Sequence, residues 1–266
     1  MKNILTIDFE DWFQVFYGER LLDKGLWGNQ VSDCERMVNS ICELLAERNT
    51  SATIFMVGWV ADKYPHLVRM LYENGHEIAS HGYWHKEVNK MTRNDFINDV
   101  KMSKFSIENA IGSEIIGYRA PGYSLTSQDS WAMDVLFDLG FKYDSSLLDM
   151  KKSYEKLPAG ILEVPPNSLS IFGKHLPING GFFFRAIPFF FYDKLVKNIN
   201  KRGVELNFYI HSWEIAPSGY RLPLKGIKKF VQYYNMDTVD KKFRMLLDCY
   251  GFESIQRRLE VIGFLK

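Results

Sequence analysis

Two histidines, His81 and His85, lie four residues apart directly after an apolar run of the chain. Side chains at this spacing share one face of a helical turn, so two imidazoles placed there can bind the same divalent metal ion. The pair alone is weak evidence, because histidines at this spacing are as often packed or solvated without a ligand. Reactive residue types elsewhere in the chain strengthen the interpretation that this pair binds a metal.

Acidic, basic and imidazole side chains follow other apolar segments that have the composition of β-strands. The acidic cluster Asp8 to Asp11 follows the first of them, and Arg119 opens an Arg-Ala-Pro-Gly-Tyr sequence. Asp144 and His211 follow later segments of the same kind. Together these types can support hydrolysis by a metal ion, a general base and a general acid.

Strand-like and helix-like segments alternate along the chain. The predicted strands are 4–7, 52–57, 76–80, 115–118, 141–143 and 205–210, and the predicted helices are 33–47, 65–73, 93–110, 127–139 and 192–200. Parallel strands joined by helices bring their carboxyl ends to one rim, where loops converge on a ligand. The sequence therefore predicts an α/β fold, an irregular or incomplete (β/α) barrel of about seven strands with the polar clusters at one mouth.

The length of 266 residues allows one large α/β barrel or two smaller domains. No linker rich in Pro, Gly or Ser divides the chain, which favours one domain. We expect residues 1–215 to form the barrel and residues 216–266 to form a helical extension that packs on it.

Charge and hydropathy exclude some partners. Lys and Arg number 33 and Asp and Glu 32, so a formal charge of +1 offers no basic surface to nucleic acid. No apolar stretch reaches the length of a transmembrane helix and no signal-peptide pattern is present, so we expect a cytoplasmic protein. The Phe-rich stretch 181–192 could contact a membrane peripherally, although Arg185 and Pro188 interrupt it and favour a buried segment.

In order and approximate spacing, the motifs resemble the five motif regions of the polysaccharide deacetylase family, the NodB-like metal-dependent carbohydrate esterases. The matching segments are 8–11, 81–85, 119–123, 143–146 and 209–211. Segments 8–15, 180–185 and 211–214 are similar to a subgroup found in bacterial exopolysaccharide and surface-glycan clusters. Five motifs in order are strong evidence where one would be weak.

The resemblance implies a role for each matching residue. Asp8 corresponds to the general base, and His211 corresponds to the residue that protonates the leaving amine. His81 and His85 correspond to ligands of a divalent metal, zinc above all, with cobalt, nickel or manganese as alternatives. Such a metal acidifies a water molecule and polarises an amide carbonyl.

The third metal ligand stays open between two acidic residues. Many family members have two adjacent aspartates after the first strand, whereas here Phe9 separates Asp8 from Glu10. Glu10 stands two residues after Asp8, as in relatives with an Asp-x-Asp form, and is favoured. Asp11 is the alternative.

Supporting roles follow from the chemistry of two further residues. Arg119 could orient Asp8 through a bidentate pair. Asp144 could fix the tautomer of His211 and raise the pKa of its imidazole. An ordinary buried ion pair between Arg119 and Asp144 is an equally good interpretation.

Substrate contacts are predicted for three residues near these motifs. The backbone N–H of Tyr123 could bind the oxyanion. Tyr123, Pro121 and Trp213 could line a sugar pocket, although large aromatic residues near a barrel rim are as often part of the core.

The sequence thus predicts an enzyme that removes N-acetyl groups from sugar residues of a bacterial surface polysaccharide, a glycolipid or a lipid-linked precursor. Two alternatives stay open. One is hydrolysis of a small cyclic amide or formamide on the same barrel. The other is a catalytically silent glycan-binding module, which has no need of a full set of acid, base and metal ligands.

Overall fold

The computed structural model describes residues 2–18, 21–150, 154–171 and 174–265. The strands are β1 (Asn3–Phe9), β2 (Thr53–Met56), β3 (Glu77–Ser80), β4 (Gly117–Tyr118), β5 (Tyr143–Asp144), β6 (Glu155–Lys156), β7 (Leu162–Glu163), β8 (Leu169–Ile171), β9 (Lys174–Leu176), β10 (Asn207–His211) and β11 (Phe252–Glu253).

The α-helices are α1 (Cys34–Ala46), α2 (Gly58–Lys63), α3 (Pro65–Glu73), α4 (Arg93–Ile111), α5 (Ser130–Asp138), α6 (Gly181–Ala186), α7 (Phe189–Lys201), α8 (Ser212–Ile215), α9 (Gly226–Tyr233), α10 (Val239–Cys249) and α11 (Ile255–Val261). Short 3-10 helices lie at Phe16–Gly18, Lys24–Asn29, Val88–Lys90, Pro121–Tyr123 and Met236–Thr238. Each predicted strand and helix is present, with its ends shifted by a few residues.

The chain divides into two compact units, which are described one at a time. The first unit comprises residues 1–52 and 178–266, and the second comprises residues 53–177. The predicted boundary between residues 215 and 216 falls inside the first unit, and the division into barrel and extension stays a prediction.

In the first unit, β1 is hydrogen-bonded in parallel to β10 and to β11. Every residue of β1 is buried, as its apolar sequence predicts for a strand covered on both faces. The register pairs Asp8 with His211 at the carboxyl end of both strands. Two residues about two hundred positions apart in sequence are therefore neighbours.

An aromatic core supports β10 in this unit. Phe208 packs edge-on against Phe184, with ring centroids 5.0 Å apart, and stacks on Phe243 of α10 at 5.8 Å. Helix α8 packs against both α1 and α10. The C-terminal helices thus share a core with the strand that ends at His211, and deleting them would expose that core.

In the second unit, the order β2-β3-β4-β5-β7 is parallel, and β6 pairs antiparallel with β7. The long helix α4 packs on α2, α3 and β3. It begins with a capping box between Thr92 and Asp95 and ends at Gly112, whose φ of 70° is the left-handed conformation that glycine favours. These helices fix β3 and therefore the loop that follows it.

The Phe-rich stretch divides between interior and surface. Phe184 is buried, whereas Phe190 and Phe191 in α7 are 61% and 58% exposed. The exposed Phe190 ring lies 4.1 Å from the ammonium of Lys194. The prediction of peripheral membrane contact finds no support in this arrangement. Among the described residues, no helix combines the length and the apolar character needed to cross a bilayer.

Candidate active site

The two predicted metal-binding histidines lie in a loop after β3 and do not share a helical turn. Gly82 (φ 69°) and His85 (φ 49°) adopt the left-handed conformation, which folds the loop back on itself. The rings of His81 and His85 have centroids 5.0 Å apart. A positive φ is uncommon for residues other than glycine, and such conformations cluster at functional sites.

The tautomer of His81 is set by a backbone group. Its Nδ1 lies 2.8 Å from the carbonyl oxygen of Arg119. A carbonyl only accepts hydrogen bonds, so Nδ1 carries the hydrogen and the lone pair of the neutral ring is on Nε2. This is the usual arrangement of a histidine that binds a metal through its other nitrogen.

A buried carboxylate, Asp99 in α4, holds the loop between the two histidines. Its oxygens accept from the backbone N–H of Tyr83 at 2.8 Å and of Trp84 at 3.0 Å. A Cβ on Gly82 would lie 2.8 Å from Asp99 Oδ2, so only glycine fits there without displacing the carboxylate. The loop is therefore fixed before any ligand binds.

His81 and His85 fit a metal such as zinc, cobalt, nickel or manganese as a pair of imidazole ligands. Among the described residues, no group of three or more His, Cys, Asp or Glu side chains is arranged to hold a metal ion. The fit rests on the two neighbouring rings and on the tautomer of His81. A carboxylate ligand stays a prediction.

Arg119 is fully buried. Its Nε donates to the carbonyl of Ser145 at 3.1 Å, and its Nη2 donates to the hydroxyl of the same serine at 2.9 Å. The guanidinium lies 4.0 Å from the centre of the Phe55 ring. Its predicted pairing with Asp8 stays a prediction.

Asp144 and Glu163 form a buried carboxyl pair at the ends of β5 and β7. Burial raises the pKa of both groups, and the Asp144 charge raises the pKa of Glu163 further, so Glu163 keeps its proton and donates it to Asp144. The Asp144 carboxylate also accepts from the hydroxyl and the N–H of Ser146, at 2.7 and 3.1 Å. Glu163 had no role in the sequence analysis.

Tyr123 and Pro121 lie in the 3-10 turn after β4. Gly122 and Tyr123 are both left-handed, with φ of 63° and 52°. The N–H of Tyr123 donates to the carbonyl of Ala120 at 3.1 Å, so the turn itself uses the donor that was predicted to bind an oxyanion. Pro121 packs beside Gly82 of the histidine loop.

His211 ends β10 in the first unit and keeps 23% of its side chain exposed. Its Nδ1 lies 2.7 Å from Oε2 of Glu214, which also accepts from the His211 N–H at 3.0 Å. The carboxylate that fixes this ring is thus Glu214, and not Asp144 as predicted. The local spacing explains this, because Glu214 is the third residue of the short helix α8 that His211 caps.

The pKa of His211 is raised to about 9. Burial alone would lower it, but the charge and hydrogen bond of Glu214 and the charges of Glu10 and Asp8 outweigh burial. His211 is therefore protonated at neutral pH, the state in which an imidazole can act as an acid.

Glu214 is itself held by a buried cation. Arg185 Nε lies 2.6 Å from Glu214 Oε1, with both side chains almost fully buried. Burial raises the pKa of Glu214, but Arg185 and His211 more than reverse this and lower it to about 2. The Arg185 guanidinium also donates to the carbonyls of Val231, Gln232 and Tyr234 at the end of α9. One arginine thus connects the acid to the C-terminal helices.

Glu10 lies on the other side of His211. Its Oε1 is 3.8 Å from His211 Nε2 and accepts from the indole N–H of Trp213 at 2.9 Å. The Ser212 hydroxyl donates to the Glu10 carbonyl at 2.7 Å and accepts from the Glu10 N–H at 3.1 Å. Trp213 stacks on the His211 ring, with centroids 4.8 Å apart and planes 19° apart.

Asp11 uses its carboxylate inside its own loop. Oδ1 accepts from the Trp12 N–H at 2.8 Å, and Oδ2 accepts from the Ser32 hydroxyl at 2.6 Å and the Asp33 N–H at 3.2 Å. Cys34, the first residue of α1, also contacts Oδ2. Burial raises the pKa of Asp11 despite these bonds. Asp11 therefore anchors the start of α1.

Sequence reasoning missed four residues that hold the reactive groups: Asp99, Arg185, Ser212 and Glu214. The last three stand in segments matched as motifs, and the spacing of His211 and Glu214 is that of a capping box at the end of a strand. That signal could have identified Glu214. Asp99 lies within a predicted helix and carries no signal of its role.

Comparison with known families matches two adjacent segments of the chain. Residues 23–143 match the family described as Polysaccharide deacetylase. The chain carries a polysaccharide deacetylase domain. Residues 144–260 match the Domain of unknown function DUF3473.

The relatives of this deacetylase domain include a peptidoglycan deacetylase from Helicobacter pylori, 26% identical over 52% of this chain and 45% of that protein. The chain spans less than half the length of the first curated relatives it matches.

Solved structures identify the fold. A putative polysaccharide deacetylase from Mycobacterium smegmatis superposes with a TM-score of 0.68 at 16% identity, over 98% of this chain and 91% of that one. A CE4 family pseudoenzyme from Bacillus anthracis gives 0.52 at 13% identity, over 96% of this chain and 65% of that one. This likeness confirms the predicted fold class, an irregular (β/α) barrel with C-terminal helices.

The two matches divide the candidate residues. His81, His85 and Arg119 fall within the polysaccharide deacetylase match. Asp144, Arg185, His211 and Glu214 fall within the second match. Asp8 and Glu10 precede both. The histidine predicted to be the acid and its carboxylate partner thus belong to the segment that has no described function.

Proposed function

We infer that this protein is a metal-dependent carbohydrate N-deacetylase that hydrolyses the acetamide of an N-acetylated sugar in a bacterial surface polysaccharide, a glycolipid or their precursor. The observation that carries the proposal is the placement of His211, whose Nδ1 lies 2.7 Å from the Glu214 carboxylate at the strand end beside Asp8. An amide is a hard bond to hydrolyse because its amine is a poor leaving group. A proton donor in the site makes the amine a better leaving group by protonating its nitrogen.

The metal completes the chemistry. When bound, a divalent ion such as zinc polarises the acetamide carbonyl and lowers the pKa of a water molecule. His81 and His85 would hold it through their imidazole nitrogens. Glu10 is the favoured third ligand, since Asp11 already anchors α1 through both oxygens.

The protein's own residues then move the protons. Asp8 accepts a proton from the attacking water, whose oxygen bonds to the carbonyl carbon. His211 gives its Nε2 proton to the sugar nitrogen as the carbon–nitrogen bond breaks. The products are acetate and the amino sugar. Glu214 stabilises the charged imidazole before this step, and Trp213 keeps its ring in place by stacking.

Mass spectrometry of the metal-loaded protein tests the proposal. The substrates are N-acetylglucosamine oligosaccharides, lipid-linked N-acetyl sugars, a cyclic amide and a formamide. We expect products in which hydrogen replaces one acetyl group, together with free acetate, and no such products with Asp8→Asn. Formate or a ring-opened product would transfer the activity to another amide. Binding of the glycans without any hydrolysis would make the protein a silent module.

A further inference from the structure

Arg185, in α6, is a buried cation beside the carboxylate that holds His211. Its side chain is almost fully buried, and its Nε lies 2.6 Å from Oε1 of Glu214. The guanidinium carbon also lies 5.9 Å from the centre of the Trp213 ring, which stacks on His211. Arg185 thus faces two of the side chains that fix the position of His211.

The carboxylate of Glu214 offers one oxygen to the histidine and the other to the arginine. Oε2 lies 2.7 Å from His211 Nδ1 and accepts from the His211 N–H at 3.0 Å, whereas Oε1 faces Arg185. The Glu214 side chain is 1% exposed, so water has little access to take the place of the arginine. Without Arg185, Oε1 would be a buried charge with no cation opposite it, and the carboxylate would rotate away or take up a proton.

The protonation state of Glu214 decides how it holds His211. A carboxylate only accepts hydrogen bonds, so it keeps the hydrogen on Nδ1 of the ring and stabilises the imidazolium by its charge. A protonated carboxyl group would supply no charge and could donate to Nδ1 instead. Arg185 and His211 lower the pKa of Glu214 to about 2, which supports the carboxylate state.

The remaining donors of Arg185 bind the end of α9. Nη1 donates to the carbonyls of Gln232 and Tyr234 at 3.2 and 2.7 Å, and Nη2 donates to the carbonyl of Val231 at 2.8 Å. The last carbonyls of a helix have no partners within it, and a cation is favourable there. Residues 225–230 are exposed, so the buried contacts of α9 concentrate at the end that Arg185 binds.

The backbone of Arg185 is held by the same part of the chain. Its carbonyl accepts from Asn235 Nδ2 at 2.9 Å and from the ammonium of Lys242, in α10, at 2.8 Å. Both the side chain and the backbone of Arg185 are therefore fixed by the C-terminal helices. The place of the guanidinium beside Glu214 depends on how those helices pack.

We propose that Arg185 is a positioning residue for acid catalysis, which keeps Glu214 in the orientation and the acceptor state that hold His211. The inference rests on the proposed function, because it takes His211 as the acid. Arg185 acts through Glu214 and takes no part of its own in bond breaking. The segment of undescribed function thereby gains a role in the reaction, since it contains the acid, its carboxylate, the arginine and the helix that the arginine binds.

Two substitutions at Arg185 separate its charge from its shape. Arg185→Met keeps most of the length of the side chain and removes the charge and the donors. Arg185→Lys keeps the charge, but the three donors of an ammonium cannot reproduce a planar fork that meets Glu214 and three carbonyls. We therefore expect Arg185→Lys to rescue the function in part.

Arg258→Met is the matched control for the loss of a paired arginine. The Arg258 side chain is 15% exposed in the same unit and pairs with Glu205 and Glu253. Glu253 pairs with the amino end of β1, whereas His211 pairs with its carboxyl end. This variant should lower the stability of the unit without reaching the acid.

The first measurement needs no turnover. An imidazole N–H shared with a carboxylate gives a downfield NMR signal that exchanges slowly with water, and the signal of His211 is assigned by its absence in His211→Ala. We expect Arg185→Met to lose or strongly shift this signal, Arg185→Lys to shift it less, and Arg258→Met to leave it unchanged. An unchanged signal in Arg185→Met would overturn the inference, whatever the protein hydrolyses.

The second measurement is kcat of the zinc-loaded protein on an N-acetylglucosamine tetramer and on an activated aryl acetate. We expect Arg185→Met to lower kcat on the tetramer by about ten- to a hundredfold, a part of the contribution of a general acid, with KM little changed. The aryl acetate, whose leaving group needs no proton, should be much less affected. A loss of folded protein would reduce both reactions alike, so equal losses on the two substrates would overturn the inference.

The third measurement places Arg185→Met in the Glu214→Gln protein. This pair of substitutions leaves no unpaired buried charge, so we expect it to fold even if Arg185→Met alone does not. If Arg185 acts through Glu214, Arg185→Met adds little to the loss of kcat caused by Glu214→Gln, whereas additive losses would overturn the inference. A parent protein that releases no acetate from any substrate would reject the proposed function, while the NMR signal still decides whether Arg185 positions Glu214 and His211.

Discussion

His81 and His211 are imidazoles at strand ends with opposite surroundings. The Nδ1 of His81 faces the backbone carbonyl of Arg119, and its ring lies beside the ring of His85. The Nδ1 of His211 faces the carboxylate of Glu214, with the charges of Glu10 and Asp8 close by. The first environment holds the ring through an uncharged carbonyl, whereas the second surrounds it with carboxylates that raise its pKa.

The difference shows how one residue type serves two purposes. A carbonyl orients an imidazole and fixes its tautomer without adding a full negative charge, which suits a metal ligand that must offer a lone pair. A carboxylate stabilises the imidazolium and raises its pKa, which suits a proton donor. We therefore propose metal binding for the carbonyl-held histidine, His81, and acid catalysis for the carboxylate-held histidine, His211.

The largest expected effect concerns the two histidines proposed to bind the metal. His81→Ala and His85→Ala should each lose most of the bound metal, measured by elemental analysis. Activity should fall by roughly a thousandfold or more, because the metal supplies several kcal/mol of transition-state stabilisation. The fold should survive, as monitored by circular dichroism, since both histidines lie in a loop.

His66→Ala, at an exposed position of α3, is the control and should keep its metal. The same assay separates the two acidic residues, since Glu10→Ala should lose metal and Asp11→Ala should keep it while loosening the start of α1. Full metal content in both His81→Ala and His85→Ala would rule out the proposed metal site.

The next largest effect concerns His211, the histidine held by a carboxylate. His211→Ala should keep its metal, and its kcat on an N-acetyl sugar should fall by a factor of roughly 10²–10⁴, the usual contribution of a general acid. Asp8→Asn should lose a similar factor as the base. An activated aryl acetate has a leaving group that needs no proton, so His211→Ala should affect it much less. Equal losses on both substrates would assign His211 a positioning role instead.

Removing the Glu214 carboxylate while keeping His211 tests whether this carboxylate raises the pKa of the ring. His211 has a pKa of about 9, raised above its usual 6.5, so activity that needs the imidazolium is present below about pH 9 and lost as the pH rises through it. In Glu214→Gln, which removes the charge that raises this pKa, the loss should begin at lower pH, closer to 6.5. The pH–rate profile and an NMR titration of the ring measure this shift.

The free energy of unfolding should also fall as the pH rises through the pKa of His211. The contribution of charged His211 is complete below pH 6.5 and lost between there and about pH 9. Glu214→Gln should also lower the unfolding free energy by about 3–5 kcal/mol, since Arg185 stays buried without its carboxylate. Glu260→Gln, in a surface pair with Arg257, is the control. If the activity of Glu214→Gln is lost at the same high pH as that of the parent protein, a group other than His211 sets the high-pH side of the pH–rate profile.

The smallest expected effect concerns the loop between the metal-binding histidines. Gly82→Ala introduces a Cβ 2.8 Å from Asp99 Oδ2 at a φ of 69°, so it should cost about 1–3 kcal/mol of unfolding free energy and weaken metal binding by about tenfold. Gly112→Ala has nearly the same φ, 70°, with nothing within 4 Å, and isolates the backbone strain. The same loss of metal affinity in both variants would mean that Asp99 does not position the histidines.

Sequence reasoning succeeded where local pattern decides the structure. The strands and helices followed from hydrophobic periodicity and end signals, such as Thr92 and Gly112 at the two ends of α4. The polar residues after β1, β3 and β10 followed from the rule that parallel strands carry their ligands at the carboxyl end. These regularities need no knowledge of side-chain contacts.

Sequence reasoning failed where partners depend on side-chain direction. The spacing of His81 and His85 is compatible with a helix, but Gly82 and a left-handed His85 fold the segment as a loop. Asp144 was one predicted partner of His211, whereas Glu214, three residues away, reaches the ring through a local cap. The link from Arg185 to α9 depends on tertiary packing, which no local pattern encodes.

The most direct test of metal-dependent deacetylation is acetate release from an N-acetylglucosamine tetramer, measured for the wild-type protein stripped of metal and then reloaded with zinc. We expect that the stripped protein releases no acetate, that zinc restores the reaction, and that His81→Ala stays inactive after the same treatment. Acetate release at the same rate by the stripped and the reloaded protein would contradict it.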